Sequence, residues 1–219
     1  MKTLLTSRCI NQRGAGQSVK RKHLTRHEVR QILLATDRGL HFARDYCLIQ
    51  MCFLHGLRVS ELCDMRLSDI DLVGRSVYVR RLKNSLSTQH PLFDTELPAL
   101  TRWLNERRRW RDADSDWLFL SQKGGPLSRH QVRLLLKRYG ELGGISISAH
   151  PHMLRHGCGY ALADLGRDTR LIQDYLGHRN IRHTVIYTAT NTQRFLNVWG
   201  DVSQNQPFSA KTQSSIRKI

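Results

Sequence analysis

Residues 149–160 read A-H-P-H-M-L-R-H-G-C-G-Y, and residues 175–187 read Y-L-G-H-R-N-I-R-H-T-V-I-Y. They place His152 three residues before Arg155, and His178 nine residues before Tyr187. Pro151 favours a helix start, so His152 and Arg155 are expected on one face of a first turn, where free backbone N–H groups attract anions. Arginine binds phosphate oxygens through a planar fork, and a tyrosine hydroxyl can act as a nucleophile. These segments therefore indicate chemistry on a phosphate.

The residues between the two segments follow a helical pattern. An apolar stripe is formed by Leu154, Cys158, Ala161, Leu162 and Leu165, which predicts one buried helix face. Gly166 is expected to end this helix. A short helix is then expected from Asp168 to Gly177, and a further helix carries Tyr187. His178 therefore follows a helix C-terminus, and a short loop separates it from the helix of Tyr187.

Upstream of residue 149 the sequence again predicts helices. Thr25 and Glu28 form a capping box, in which each side chain satisfies a free backbone N–H. Predicted helices cover about residues 25–37, 42–54, 97–109 and 128–142, and the last is opened by a second capping box of Ser128 and Gln131. Gly56 is expected to end the second of these helices. Arg58 then lies at a helix junction beside the core, which is a poor place for a solvated charge.

One region has the pattern of β-structure. Residues 76–80 alternate in the manner of a strand, and residues 88–92 offer a partner strand, with Lys83 in the turn between them. Residues 117–120 form a short apolar strand or an extended core segment. The patterns together predict a mainly α fold with a small β-hairpin or sheet (α+β). The expected organisation is a flexible basic arm (residues 1–20), one domain (residues 21–200) and a polar tail (residues 201–219).

The composition points to a polyanionic partner. Among 219 residues, 35 are Lys or Arg and 18 are Asp or Glu, which gives a formal net charge of +17. Such an excess is larger than solubility requires and predicts nucleic acid as the partner. A ribosomal-type binder or a surface coated with lysine would also be basic. Arginine outnumbers lysine, however, which favours contacts with phosphate.

The cysteines and the N-terminus bear on the expected location. The five cysteines show no C-x-x-C pair: Cys9, Cys47, Cys52, Cys63 and Cys158. An odd number of cysteines without a secretion signal favours reduced thiols in a cytosol. The first ten residues lack the apolar core of a signal peptide. No apolar run approaches the length of about 18 residues that spans a membrane.

Four motifs in this order carry a resemblance to a known family. They are G-L-R-V-S-E-L (56–62), H-M-L-R-H (152–156), L-G-H (176–178) and I-Y (186–187). The chain resembles the catalytic domain of tyrosine recombinases, the phage integrase family, over about residues 24–199. A single piece such as L-G-H is a weak signal, whereas the ordered set with its spacings is a strong one. The resemblance implies a pocket of Arg58, Lys83, His152, Arg155 and His178, with Tyr187 as the nucleophile.

The resemblance also implies a role for each of these residues. Tyr187 would attack a DNA phosphodiester, forming a 3′-phosphotyrosyl link and releasing a 5′-hydroxyl. Arg58 and Arg155 would hold the non-bridging oxygens, and Lys83 would protonate the leaving oxygen. His152 would help to accept the tyrosine proton, and His178 would hydrogen-bond the phosphate. Because the covalent link stores the bond energy, no cofactor and no metal is expected.

Several assignments have rivals. Arg58 would alternatively be an ion-pair partner of Glu61 or Asp64. Arg81 would take part of the space assigned to Lys83, because the hairpin lacks the Lys-Gly pattern frequent in the family. His150 and His156 are expected to be structural or to support the site from behind. With His152 and Cys158 they suggest zinc, but their spacings suit no common zinc pattern.

The size of the chain suggests a subgroup. Many family members carry an N-terminal helical domain that clamps DNA, whereas about twenty residues precede the catalytic domain here. This layout resembles the fimbrial phase-variation recombinases, which invert a promoter-bearing segment. The implied partners are double-stranded DNA with inverted-repeat sites, a homotetramer on synapsed DNA and accessory DNA-bending proteins, in the nucleoid of a bacterial cytoplasm and away from membranes.

A topoisomerase and a DNA-binding regulator are the two alternative functions for a chain with these motifs. A type IB topoisomerase would use nearly the same pocket to relax DNA without exchange. A catalytically silent DNA-binding regulator is a second alternative, although the intact set of six residues argues against it.

Residues 191–199 are expected to form a helix that docks onto a neighbouring protomer or folds onto its own core.

Overall fold

Helices dominate the computed structural model, which describes residues 21–81, 87–189, 191 and 195. The α-helices of these residues are α1 (Arg26–Ala35), α2 (Phe42–Leu54), α3 (Val59–Cys63), α4 (Leu97–Arg107), α5 (Arg129–Leu142), α6 (Pro151–Asp164), α7 (Thr169–Leu176) and α8 (Arg182–Ala189). The strands are β1 (Ile70–Asp71), β2 (Ser76–Val79) and β3 (Thr88–Pro91). The mainly α fold with a small sheet is therefore confirmed.

The three strands form an antiparallel sheet in the order β1-β2-β3. Val77 pairs with His90 across the predicted hairpin, and Ile70 pairs with Val77 on the other side of β2. Val77 and Val79 are buried while Tyr78 is exposed, so the strand alternates as its sequence predicts. No sequence pattern predicts β1, because a strand of two residues is too short to show a period.

Both predicted capping boxes are present. The Thr25 hydroxyl accepts from the Glu28 N–H, and the Glu28 carboxylate accepts from the Thr25 N–H at 2.8 Å. Ser128 and Gln131 form the same pair of bonds at the start of α5. Side chains that satisfy free N–H groups thus fix where α1 and α5 begin.

Helix α4 ends two residues earlier than predicted, at Arg107. The reason is a tertiary contact of its last side chain. The buried Arg107 guanidinium donates to the backbone carbonyls of Ala113, Ser115 and Trp117 at 2.6 to 2.9 Å. These bonds hold the chain that turns back after α4, so this arginine is part of the fold.

The main core lies between α2, α4, α5 and the sheet. Trp103 is fully buried, donates its indole N–H to the Leu118 carbonyl at 3.0 Å and stacks on Phe119. Residues 117–120 prove to be an extended core segment, held by isolated bridges from Arg66 to Trp117 and from Leu120 to Pro126. Aromatic burial on this scale is a large part of the stability of a domain of this size.

A second, smaller core positions the functional residues. It joins α6, α7 and α8 through Cys158, Ile172, Leu176 and Tyr187. The prediction that Leu165 belongs to the buried stripe of α6 is wrong, because α6 ends at Asp164 and Leu165 is 55% exposed.

Some predictions fall on residues that the structure does not describe. Lys83, Cys9, the arm (residues 1–20), the tail (residues 201–219) and most of the predicted helix over residues 191–199 lie outside the described residues. The division into arm, domain and tail therefore stays a prediction.

Candidate active site

Three guanidinium groups surround one buried carboxylate. Glu61, in the first turn of α3, is 1% exposed and forms ion pairs with Arg58 and with Arg81, the latter at 2.9 Å. Nη1 of Arg155 lies 3.9 Å from the same carboxylate. Burial by itself raises the pKa of Glu61, but Arg81 and the hydrogen bonds from Arg58 outweigh it, so the pKa falls below its usual value. Glu61 is therefore an anion that holds the arginines together.

Arg58 and Arg155 reach this cluster from distant parts of the sequence. Arg58 precedes α3, and its backbone N–H donates to Glu61 at 2.8 Å. Arg155 is 3% exposed and donates to the carbonyls of Gly56 and Leu176 at 2.5 and 2.6 Å. Burial and the charges of Arg58 and Arg81 lower the pKa of Arg155 to about 10, which leaves it charged at neutral pH. The Arg58 side chain remains 28% exposed, so part of the positive charge is open to an anion.

Tyr187 is buried in the smaller core. Its side chain is 1% exposed and its ring packs against Tyr160 at 5.1 Å between centroids. Its hydroxyl lies 2.9 Å from Nδ1 of His156. Burial raises the pKa of Tyr187 to about 12, although the charge of Arg155 opposes this rise. A phenol in this environment is protonated at neutral pH and needs a base to act as a nucleophile.

His152 and His156 lie one helical turn apart on α6. Their Nε2 atoms are 2.7 Å apart, and their rings meet edge to face at 4.2 Å. His152 is exposed, while His156 is half-buried and bonds to Tyr187. Burial, the other imidazole and Arg155 lower the pKa of His156 to about 4, so it is neutral at physiological pH.

His178 lies beside Tyr187, between α7 and α8. It follows Gly177, which ends α7 as predicted and has a φ of +64°, in the left-handed region. Its Nδ1 is 2.9 Å from the Thr184 hydroxyl, and its ring lies 6.3 Å from that of Tyr187. Burial, followed by the charges of Arg155 and Arg58, lowers the pKa of His178 to about 3. It would therefore meet a phosphate as a neutral hydrogen-bonding group.

The structure thus brings five of the six predicted residues to one place, and the sixth, Lys83, lies outside the described residues. Arg81 is fully buried and donates to Glu61 and to the Tyr175 carbonyl, so its contacts are those of a structural group. Sequence analysis identified Glu61 only as an alternative ion-pair partner of Arg58, and His156 only as a residue that supports the site. The available signal for these contacts was spacing. Glu61 follows Arg58 by three residues and His156 follows His152 by four, which brings the members of each pair to the same side of a helical turn.

A basic groove leads away from His152. One open pocket of about 530 Å³ is lined by Val59, Arg129, His130, Arg133, His150, Pro151 and His152. A neighbouring pocket of about 420 Å³ shares Arg133 and His150 with it and extends to Arg21, Lys22 and Lys137. Three exposed cations on α5 are spaced four residues apart, at 129, 133 and 137, so they share one face of the helix.

The described residues contain neither a group of metal-binding side chains nor a helix that could span a membrane. Over residues 21–81 and 87–189 no three His, Cys, Asp or Glu side chains are grouped as they are in a metal site. The helices of the same part of the chain are too short or too polar to span a membrane. The described cysteines 47, 52, 63 and 158 are buried free thiols, and burial raises their pKa.

Gly159 controls where the Tyr187 ring lies. A Cβ at this position would lie 2.6 Å from Cε2 of Tyr187, closer than atoms approach without a shift. Gly159→Ala should displace the ring and reduce any covalent reaction of Tyr187 by about 10- to 100-fold, since a displacement of about 1 Å costs rates of this order. Gly157→Ala is the matched control. Its added Cβ would also come too close to a neighbour, but that neighbour is the Leu24 carbonyl and not Tyr187. Equal losses in both variants, measured as rates and melting temperatures, would contradict the positioning role.

Known structures with this fold define the class of protein. The structure is similar to that of XerA recombinase, with a TM-score of 0.70 and 27% identity over 85% of this chain and 65% of that one. It is also similar to XerH site-specific recombinase bound to difH substrate, with a TM-score of 0.66 and 25% identity over 82% of this chain and 55% of XerH. The chain thus spans less than two thirds of either recombinase. The fold is that of a tyrosine recombinase catalytic domain.

The sequence comparisons identify the family. The model of the phage integrase family matches residues 22–194. The chain is 54% identical over 180 residues to the type 1 fimbriae regulatory protein FimB of Escherichia coli strain K12, covering 82% of this chain and 90% of FimB. It is 51% identical over 181 residues to FimE of the same strain, covering 82% and 91%. The chain belongs to the phage integrase family, and it is a tyrosine-type site-specific recombinase.

Proposed function

We propose that the chain cleaves and rejoins DNA through a 3′-phosphotyrosyl intermediate on Tyr187 and inverts a promoter-bearing DNA segment. The observation that carries the chemistry is the position of the Tyr187 hydroxyl, which meets an imidazole within a pocket that also holds Arg58 and Arg155. A phenol, a base and two guanidinium groups are the parts that a phosphoryl transfer needs.

The reaction follows from the charges of the site. The Tyr187 oxygen attacks phosphorus and forms the Tyr–O–P bond, while the bond from phosphorus to the 5′-oxygen breaks. Arg58 and Arg155 neutralise the charge that grows on the non-bridging oxygens, and His178 contributes a neutral hydrogen bond. Lys83 supplies the proton that the leaving 5′-oxygen requires. The reverse attack, by a 5′-hydroxyl of another DNA, completes strand exchange without a metal or a nucleotide cofactor.

The basic groove is the proposed path of the DNA backbone. It begins at His152, beside the proposed scissile phosphate, and follows Arg129, Arg133 and Lys137 along α5. Arginine and lysine side chains that contact phosphate oxygens position a protein on a duplex without reading its sequence. The net charge of +17 adds a long-range attraction that falls with added salt.

The relatives support the choice of an inversion reaction. FimB and FimE are named as type 1 fimbriae regulatory proteins, and this chain covers about nine tenths of each. The proposed substrate is therefore double-stranded DNA with inverted-repeat sites in a bacterial nucleoid. A homotetramer on two synapsed sites and accessory DNA-bending proteins complete the proposed assembly. The similarity to recombinase structures and the intact set of six site residues favour this function over a topoisomerase and over a catalytically silent regulator.

A plasmid assay tests this function. A promoter segment between the inverted repeats found beside the encoding gene should change orientation when the protein is expressed, as measured by PCR across one repeat. The same segment with both repeats scrambled should stay fixed. Relaxation of a supercoiled plasmid that lacks the repeats, with no inversion of the test segment, would instead indicate a topoisomerase and overturn the proposal.

A further inference from the structure

The Tyr187 hydroxyl is the buried end of a chain of hydrogen bonds. It lies 2.9 Å from Nδ1 of His156, and Nε2 of His156 lies 2.7 Å from Nε2 of His152. The burial of the three groups decreases along this chain: Tyr187 is 1% exposed, His156 is half-buried and His152 is exposed. Among the described residues, the Tyr187 hydroxyl bonds to His156, and His152 is linked to it through His156.

We propose that His156 takes the proton of Tyr187 during attack and passes a proton from its opposite ring nitrogen to His152. The inference rests on the proposed function, because it names the base that activates the proposed nucleophile. His156 is then a catalytic residue, and His152 is the outer member of a two-histidine relay.

The geometry permits a balanced transfer. Before attack, the tyrosine O–H donates to Nδ1 of His156, whose Nε2–H donates to Nε2 of His152. As the Tyr–O–P bond forms, Nδ1 gains the tyrosine proton, Nε2 gives up its own, and His152 becomes an imidazolium. The leaving 5′-oxygen is protonated separately, by Lys83 in the proposed mechanism. Religation returns each proton along the same path.

The relay explains how a half-buried histidine can serve as a base among cations. The titratable and charged groups that face the pair come from several elements: Arg155 and Tyr160 on α6, Arg58 before α3, His23 before α1, His150 before α6, and His178 before α8. Burial and these charges disfavour an imidazolium at His156, where it would have little contact with water. Burial and the charges of Arg155, His150 and Arg58 also lower the pKa of His152. Its ring is nevertheless exposed to water, so an imidazolium is less costly there than at His156, and a phosphate bound at Arg58 would lower the cost further.

A simpler role for His156 is to satisfy a buried hydroxyl, as buried polar groups generally require. That role needs only the bond to Tyr187 and does not require the second bond to His152. The two roles differ in what an uncharged substitute can replace. An asparagine places an amide oxygen near the position of Nδ1, so it can accept a hydrogen bond but cannot take a proton.

Cleavage of a nicked suicide substrate in a single turnover separates these roles. His156→Asn should bind DNA with unchanged affinity but cleave about 10² to 10⁴-fold more slowly, the usual range for loss of a general base. The wild-type rate should fall as acid protonates the relay, and His156→Asn should lose that pH dependence. His27→Asn, an exposed substitution on α1, is the matched control and should keep the wild-type rate and pH profile. Wild-type rates and pH profile in His156→Asn would overturn the relay.

A substrate with sulfur in place of the 5′-bridging oxygen identifies which proton His156 moves. A thiolate leaves without protonation, so this substrate bypasses the general acid and should not rescue His156→Asn. Rescue by the sulfur would mean that His156 acts on the leaving group, which contradicts the proposal.

A measurement without DNA distinguishes failure of the relay from failure of the proposed function. Nitrogen NMR of the labelled histidines should show His156 with its proton on Nε2, and Tyr187→Phe should shift its Nδ1 resonance. A His156 that carries its proton on Nδ1 donates to Tyr187 and cannot accept from it, which would overturn the relay even if the enzyme were active. If the tautomer is as proposed but the wild type forms no adduct with DNA, the proposed function fails instead.

Discussion

Tyr187→Phe should abolish covalent attachment to DNA while leaving the fold intact. Phenylalanine keeps the ring that packs against Gly159 and Tyr160 and removes only the hydroxyl that lies 2.9 Å from His156. Loss of a nucleophile from a catalytic set lowers rates by about four orders of magnitude or more. On a nicked suicide substrate, the covalent band on a denaturing gel should therefore disappear, while a gel shift shows unchanged DNA binding.

Tyr160→Phe provides the matched control for this experiment. Its ring lies next to Tyr187 in the same core, yet it carries no proposed role in the chemistry. The Tyr160 variant should form the adduct at close to the wild-type rate. A persistent adduct in Tyr187→Phe would show that another residue attacks the phosphate.

Glu61→Gln should cause the largest loss of stability among single substitutions at the site. The carboxylate pairs with Arg58 and Arg81 and lies near Arg155, and glutamine keeps its shape but not its charge. Breaking a buried ion pair from one side costs about 3 to 5 kcal/mol, because the partner charge remains buried. The free energy of unfolding in urea should fall by about this amount. DNA cleavage should also slow, since the arginines lose the group that orients them.

Glu28→Gln tests whether the loss of stability expected for Glu61→Gln is caused by the buried charges. Glu28 occupies the same helix position as Glu61, accepts the same capping bond and pairs with one arginine, Arg21, that is 33% exposed. Its substitution should cost only about 1 kcal/mol, as for an ordinary cap and a solvated ion pair. Similar losses for Glu28→Gln and Glu61→Gln would contradict the account of the arginine cluster.

The sequence predicted the parts of the fold that depend on local patterns. The capping boxes, the hairpin of β2 and β3 and the glycine at the end of α7 all rest on side chains within a few residues. Strand β1 and the early end of α4 were missed for the opposite reason. The former exists only by pairing with Val77, and the latter depends on carbonyl groups up to ten residues from Arg107.

The ordered motifs predicted which residues form the site, but they did not predict the contacts between these residues. The motifs located Arg58, Arg155, His178 and Tyr187, and the structure brings them together. Periodicity cannot show that Arg155 donates to the carbonyls of Gly56 and Leu176, because those contacts span 99 and 21 residues. For the same reason it could not show that the Tyr187 hydroxyl meets an imidazole on α6. The catalytic roles of these residues remain proposals.

Mapping the attachment site on the protein tests the central claim most directly. The wild-type adduct with a suicide substrate is digested with trypsin, and the peptide that carries the oligonucleotide is sequenced by mass spectrometry. The account predicts a 3′-phosphate on Tyr187 within residues 183–194, which contain one tyrosine, together with a free 5′-hydroxyl on the released strand. Attachment at Tyr160 or Tyr175, or a link to a 5′-phosphate, would contradict it.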